Sequence, residues 1–493
     1  WGTGITYTGF CLMGLGCLLL LCARDGGFRR LLRHPQIRKG GLFLIALFGG
    51  CQLKADPALP VVKRVQADSL AIQQVVYNDR VAPFNTLARD FVQKIYGRPS
   101  FHRITPEQVV SSWMLYPEEW NRTPIIRIKN QELRTALGLK EEYASLNHLF
   151  DGTQYKLQPL WQREQGNRSK LAQAIQETDE KVGLILMLRQ GTLIRPLPPD
   201  VTPLSTQKVN AELWYNRIPF SKILFMVNLT LGFAAFGLFM FRMLTGRKEK
   251  AVSRRVWGTA LCLTTLFHAT GYALRGYIRG GFPLSNGYET MQFVALAVLL
   301  TACLLQRRFP FTRPFGFLLS GFTLLVAYLG EMNPQITPLM PVLASPWLSW
   351  HVSLIMISYG LFAFTFLNGI LALCLIGKQK NTASPITGEQ IEQLTLLSRL
   401  LLYPGTFLLG IGIVLGAVWA NVSWGSYWSW DPKEVWALAA FIIYGISFHR
   451  NSLPCFQRQW LFHGYMIFAF AVVLMTYFGV NHLLGGMHSY ANS

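Results

Sequence analysis

The stretch Trp424-Gly-Ser-Tyr-Trp-Ser-Trp-Asp-Pro-Lys-Glu-Val-Trp436 packs four tryptophans and three charged residues into one turn between two apolar runs. Its second half has the pattern of a helix start. Asp431 stands at the N-cap, Pro432 at the first helical position and Glu434 three residues after the cap, which makes a capping box with its acids at the positive end of the helix dipole. On that reading Asp431 is structural. Trp424, Trp428 and Trp430 fall just before the helix, and two readings of them stand side by side. Their faces either line a shelf for a large flat ligand or sit in the lipid headgroup layer, where tryptophan is enriched in any membrane protein.

The runs on either side of this turn set the class. The 493 residues are 51% hydrophobic and 14% charged, with mean hydropathy +0.27, and several apolar runs are long enough to cross a bilayer. The fold class expected is an all-α polytopic membrane protein of about ten transmembrane helices with one extracytoplasmic soluble domain of mixed α/β character. A net charge of +21 would suit a nucleic-acid partner, but Lys and Arg cluster in alternate short loops between apolar runs. That is the positive-inside pattern, so the charge sets topology, and no nucleic-acid partner is expected. The eight cysteines include no Cys-x-x-Cys, and Cys11, Cys17, Cys22, Cys262, Cys303 and Cys374 lie in apolar segments, which predicts neither a disulfide framework nor a zinc site.

Four regions follow. Residues 1–53 read as two spans, Thr3 to Cys22 and the short Gly41 to Leu53, with an arginine-rich cytoplasmic loop between them; the second could instead be an internal targeting-like segment. The chain starts at Trp1 inside an apolar run, with no charged region or cleavage site before it, the pattern of a fragment. Residues 54–216 read as the soluble domain. Val75 to Val81 suggests a hairpin, Ile125 to Ile128 a strand, Thr105 to Gln108 a capping box and Ser169 to Leu188 a helix, while His102 and His148 are isolated. Residues 217–253 hold a connecting span and a cytoplasmic loop. Residues 254–493 form a membrane domain with spans near Val256–Leu274, Thr290–Leu305, Phe315–Leu329, Trp350–Ile376, Tyr403–Trp419, Val435–Phe448 and Trp460–Val480. Ile391 to Leu402 reads as an amphipathic helix along the membrane surface. Loop charges put the soluble domain, the tryptophan turn and the C-terminus on the external side.

Topology sorts the histidines. His351, His482 and His488 share the external face with the tryptophan turn, whereas His449 lies about 27 Å along the helix from Asp431, near the cytoplasmic side, with His463 at a similar depth. Two external imidazoles beside an aromatic shelf suit a porphyrin, whose iron takes axial nitrogen ligands while indoles pack its faces. Each histidine taken alone also reads as an interfacial hydrogen-bonding residue. His268 reads as a packed histidine and His34 as a solvated one.

These residues resemble the tryptophan-rich WWD motif of heme-handling membrane proteins, and the chain from about residue 254 to its end is similar to the CcsA (ResC) type of System II cytochrome c biogenesis. The matching features are Trp424 to Trp436, His351 before them, His449 in Ser-Phe-His-Arg, His488 in Gly-Met-His-Ser-Tyr, and the loop Phe282 to Thr290. The first half resembles, more weakly, part of a fused CcsB (ResB)-like half. The resemblance implies heme b as the bound group and a bacterial cytoplasmic membrane as the location. It makes His351 and His488 the axial ligands of an external heme, shaped by Trp424, Trp428, Trp430, Asp431 and Trp436. It makes His449 one ligand of a second heme site inside the membrane, whose partner comes from the CcsB-like half or from His463. It further implies holocytochrome c synthase activity, with apocytochrome c (Cys-x-x-Cys-His), thiol-reducing proteins of the same pathway and membrane lipids as partners. The alternative is an exporter or relay that passes heme to a carrier without forming the covalent bond.

Overall fold

The computed structural model describes residues 59–484, apart from 153, 165, 167–168, 246, 248, 331, 333, 338–344 and 382–384. The chain divides into two units, residues 1–59 and 60–493. The spans expected at Thr3–Cys22 and Gly41–Leu53, and His488, lie outside the described residues.

The first part of the second unit runs α1 (Arg64–Ala71), β1 (Gln74–Tyr77), β2 (Arg80–Pro83), α2 (Phe84–Tyr96), α3 (Pro106–Leu115), α4 (Pro117–Arg122), β3 (Ile126–Arg127), α5 (Gln131–Ala136), β4 (Tyr143–Ala144), β5 (Phe150–Asp151), β6 (Gln154–Tyr155), α6 (Leu157–Glu164), α7 (Lys170–Arg189), β7 (Arg195–Pro196) and α8 (Thr206–Arg217). Asn78 and Asp79 both take positive φ, +49° and +56°. That is the mirror-image turn whose twist suits a two-residue hairpin, and it sets the register Tyr77↔Arg80 to Gln74↔Pro83. β7 adds to the other edge of β1. Thr105 and Gln108 form the expected capping box at the start of α3. The core of this region holds Trp113 and Trp120 stacked 5.8 Å apart, with each indole N–H bonded, to Asn121 Oδ1 and to Pro60 O. His148 bonds Leu137 O, and His102 packs edge-on against Phe101.

Long helices follow: α9 (Phe220–Thr245), α10 (Ala251–Arg279), α11 (Gly287–Leu305), α12 (Thr312–Leu329), α13 (Pro346–Asn381), α14 (Pro385–Trp424), α15 (Pro432–Ile446) and α16 (Gln459–Leu474), the last continued as a π-helix over Met475–Leu484. Six have the length and apolarity to cross a membrane: α9, α11, α12, α13, α14 and α16 with its extension. Of the ten spans expected, two fall outside the described residues and two lack one property. α10 has 29 residues, but Thr264, Thr265, His268 and Thr270 dilute its apolarity, and α15 is apolar but has only 15 residues.

Neighbouring helices are bonded by buried polar pairs, the interactions that hold helices together where lipid supplies no hydrophobic contrast. Asn228 Nδ2 donates to Ser320 Oγ at 3.0 Å between α9 and α12. Between α13 and α14, Ser358 Oγ donates to Gly405 O at 2.7 Å and Asn368 Nδ2 to Ser398 Oγ at 3.2 Å.

One expectation is corrected. Ile391–Leu402 does not lie along the membrane surface as a separate helix. It is the first half of the 40-residue α14, which passes through Pro404 without a break. Ile391, Leu394, Leu397 and Leu401 are buried in a cluster with Leu371, Ala372 and Leu375 of α13. The amphipathic stripe faces another helix rather than lipid headgroups.

Candidate functional site

α13 and α14 run antiparallel, and their end nearest the tryptophan turn holds His351. The imidazole Nδ1 lies 2.6 Å from Gly412 O. With Nδ1–H donating to a carbonyl, the tautomer is fixed and the lone pair belongs to Nε2, the arrangement a ligand histidine needs. The ring rests directly on α14: a Cβ added at Gly416 would fall 2.5 Å from His351 Cε1 and 2.6 Å from Nδ1. At Gly412 a Cβ would fall 2.6 Å from Ile355 Cγ1, one turn along α13. Two glycines one turn apart thus form a groove that seats His351 and Ile355.

From Gly416 the tryptophan turn is about 12 Å further along α14. Trp419 is buried and meets Trp424 edge-to-face at 4.7 Å. α14 then closes on Gly425, whose φ of +76° and N–H bond to Asn421 O stop the helix. Trp428 and Trp430 are perpendicular, 5.9 Å apart. Trp430 has φ +57° and is 72% exposed. A bulky residue in the left-handed region costs about 1–3 kcal/mol, a strain the surroundings must hold.

They hold it through the expected cap. Asp431 is buried and accepts from Lys433 N at 2.9 Å, and Glu434 Oε2 accepts from Ser429 N at 2.9 Å and Asp431 N at 3.2 Å. Burial pulls the Lys433 ammonium below its usual range, against the opposing pull of Asp431. Trp436 points into the bundle, packed beside a cluster that includes Ile355, Met356 and Tyr359, and its carbonyl accepts from Thr476 Oγ1 at 3.3 Å. Trp436 therefore belongs to the packing behind the turn, and Trp424, Trp428 and Trp430 to the turn itself.

The same end carries an ionic centre. Glu289 accepts from Arg275 Nε at 2.8 Å, from Arg279 Nη1 at 2.7 Å, and from Ser285 N and Oγ at 2.7 Å each. Arg275 also donates to Tyr215 OH, Pro334 O and Gln335 O. Beyond it Arg80 donates to Ile336 O and forms a two-bond pair with Glu212. These bonds fasten the β1–β2 hairpin, the segment 334–336 and the Phe282–Thr290 loop to one another. α11 and α13 run in the same direction, and a Cβ at Gly360 would lie 3.3 Å from Val298 Cγ2. Nine residues back on each helix, Glu289 and His351 stand at one depth, on opposite faces.

His449 sits at the far end of α15, exposed in a 3-10 turn over Ser447–Asn451. His463 is fully buried, with Nε2 2.9 Å from Thr395 Oγ1, and His268 is buried against Gln292 Oε1 at 3.1 Å. His482 lies in the π-helix. Two clefts of about 240 and 190 Å³ open beside α7, and neither is lined by any of the expected ligand residues. Sequence reading passed over Trp419, Gly412 and Gly416. The signal for the glycines is their four-residue spacing inside an apolar run.

A family profile described as "Cytochrome C assembly protein" matches residues 284–488, which contain His351, the tryptophan turn, His449 and His488. "Cytochrome c biogenesis protein CcsA" of Synechococcus sp. (strain WH7803) is 33% identical over 314 residues, covering 53% of this chain and 94% of that protein. This chain belongs to the CcsA-type cytochrome c assembly family. The family's CcsA of Prochlorococcus marinus (strain NATL2A) is 32% identical over 305 residues, 53% of this chain and 93% of its own length. "Protein NrfI" of Wolinella succinogenes is 31% identical over 577 aligned residues, which take in 99% of this chain but 63% of NrfI. The likeness to NrfI thus extends through the first half as well. The chain spans less than two thirds of that relative's length.

Proposed function

We propose that the chain presents heme b, at the end of the bundle holding the tryptophan turn, for covalent attachment to apocytochrome c. The observation that carries the reading is the seat of His351. Its Nδ1 is tied to Gly412 O, its ring lies on Gly416, and the tryptophan turn stands about 12 Å beyond on the same helix. In this reading His351 Nε2 takes the heme iron on one side and His488 on the other, Trp424, Trp428 and Trp430 face the macrocycle, and Trp436 and Asp431 hold the turn. His449 is one ligand of a second heme station at the opposite end. Residues 1–53 form two spans of a CcsB-like half, residues 54–216 an extracytoplasmic domain that holds the partner, residues 217–253 a connecting span and cytoplasmic loop, and residues 254–493 the heme-handling domain. The membrane is the bacterial cytoplasmic membrane, with the tryptophan turn outside.

The chain contributes position rather than a nucleophile, so its catalysis is proximity and control of iron ligation. The histidine of the apocytochrome Cys-x-x-Cys-His segment replaces one axial histidine. Each cysteine S–H then adds across one heme vinyl group, with sulfur and proton going to its two carbons, so two thioethers form and no electrons are exchanged. Thiol-reducing proteins of the pathway keep those cysteines reduced. The exposed station at His449, about 27 Å from Asp431, also suits a second reading in which heme is only relayed.

The test is the absorption spectrum of the detergent-purified protein, oxidised and reduced, beside a His351→Ala, His488→Ala double variant. A low-spin bis-histidine spectrum lost in the variant is expected, and an unchanged spectrum at full occupancy refutes the external site. Coexpression with an apocytochrome separates the readings. Heme that stays on the cytochrome through denaturing electrophoresis is the synthase outcome, and its absence with normal heme loading is the relay outcome.

A further inference from the structure

At the end of the bundle opposite the tryptophan turn, the α9–α10 connection brings Glu249 against three arginines. Arg313 Nη2 donates to Glu249 Oε2 at 2.8 Å and Arg313 Nη1 to Oε1 at 3.1 Å. Arg242 Nη1 donates to Oε1 at 3.1 Å, and Arg254 Nε lies 4.0 Å from Oε2. Arg313 also donates to Arg254 O, and Arg242 to Ser253 Oγ. One carboxylate therefore faces three guanidiniums. Arg313 is 3% exposed and its Nε is buried with no hydrogen-bond partner among the described residues. Three guanidiniums around one carboxylate leave positive charge for a further anion to balance, and Arg242 and Arg254 are the members that reach the surface.

Position says which anion. Arg242 closes the apolar stretch Phe220–Met243 and Arg313 opens the apolar stretch Thr312–Leu329. Both therefore lie where hydrocarbon gives way to headgroups. Around them Arg247, Lys250, Arg255, Arg307 and Arg308 are exposed. At that depth the abundant anion is the phosphate of a phospholipid, and basic pockets between helix ends are where such headgroups dock.

We infer that Arg242, Arg254 and Arg313, gathered by Glu249, form a binding site for the phosphate of an anionic phospholipid. Glu249 holds the three forks in one place, the partly exposed Arg242 and Arg254 meet the phosphate, and Arg313 anchors the centre from below. Guanidiniums suit this better than lysines because each has five N–H donors, so Arg242 and Arg254 can bond Glu249 or Ser253 and still offer N–H groups to phosphate oxygens. The site is independent of heme and of the reading of His351.

The test is native mass spectrometry of the full chain in detergent, titrated with phosphatidylglycerol and, separately, with phosphatidylcholine of the same acyl chains. Phosphatidylglycerol is expected to stay bound at activation energies that strip phosphatidylcholine. Arg254→Gln should weaken it about fivefold, the factor expected for one cation near an anionic surface. Arg313→Gln should remove the preference. Should Arg313→Gln fail to fold, Arg254→Gln decides alone, since Arg254 is 60% exposed and tolerates change. Equal retention of both lipids overturns the site, as does an Arg254→Gln variant with unchanged preference. Inorganic phosphate that displaces phosphatidylglycerol at millimolar concentration overturns the lipid assignment.

Discussion

The two ends of the helical bundle use the same residue types in opposite ways. Beside the tryptophan turn, Arg275 and Glu289 are each 1% exposed, the arginine's remaining N–H groups go to carbonyls and a tyrosine, and His351 is wedged onto glycine. At the other end Glu249 is 20% exposed and outnumbered by arginines, and His449 stands in a single exposed turn. The difference lies in burial: at the first end the carboxylate and its arginines are all enclosed, although Arg279 Nη2 has no hydrogen-bond partner among the described residues, and at the second the carboxylate keeps access to the outside. A closed end holds one arrangement of side chains. An open end lets something arrive from outside the bundle.

The largest test of this contrast is removal of one carboxylate at each end. Glu289→Gln leaves two buried guanidiniums without their anion, and uncompensated buried charge costs about 3–5 kcal/mol. Glu249→Gln should cost less, because Glu249 is 20% exposed and its loss frees one buried guanidinium, Arg313, rather than two. Thermal or denaturant unfolding of the detergent-solubilised protein measures both, and equal losses would break the distinction.

Next in size is the glycine seat. Gly416→Ala puts a methyl group within 2.5 Å of the His351 ring, which should cost about 1–3 kcal/mol. It should also lower heme bound per protein, while His449→Ala leaves the external spectrum intact. A normal Soret band in Gly416→Ala would show that the seat does not govern ligation.

Asp431→Ala should cost about 1 kcal/mol as a lost N-cap. If it also alters heme loading per molecule, the cap sets the tryptophan turn as well as starting α15. The smallest effect has the opposite sign. Gly445, near the open end, has nothing within 4 Å of an added Cβ, so Gly445→Ala should stabilise α15 by about 0.5–1 kcal/mol. A loss there would mean that the open end is more tightly packed than it looks.

Much of this was legible in the chain because it is written locally. Asp431, Pro432 and Glu434 announce a helix start within four residues, as Thr105 and Gln108 do, and Asn78-Asp79 between apolar pairs announces a hairpin. What was not legible depends on registers between distant segments. Ile391–Leu402 has the stripe of a surface helix, and only the facing Leu371 and Leu375 show that the stripe meets protein. Gly416 looks like any glycine in an apolar run until a residue 65 positions away rests on it. Arg275 reads as a loop charge, but carbonyls from 334 and 335 make it a junction.

The 40-residue α14 has a consequence for imaging. It is about 60 Å long, and even inclined by 40° it reaches about 46 Å along the normal, against a hydrocarbon layer of about 30 Å. Bound to α13 along its length, it forms a stiff mast that a detergent belt cannot cover. Such a mast breaks the pseudo-symmetry of a micelle, giving particle images a direction and antibody fragments a rigid place to bind.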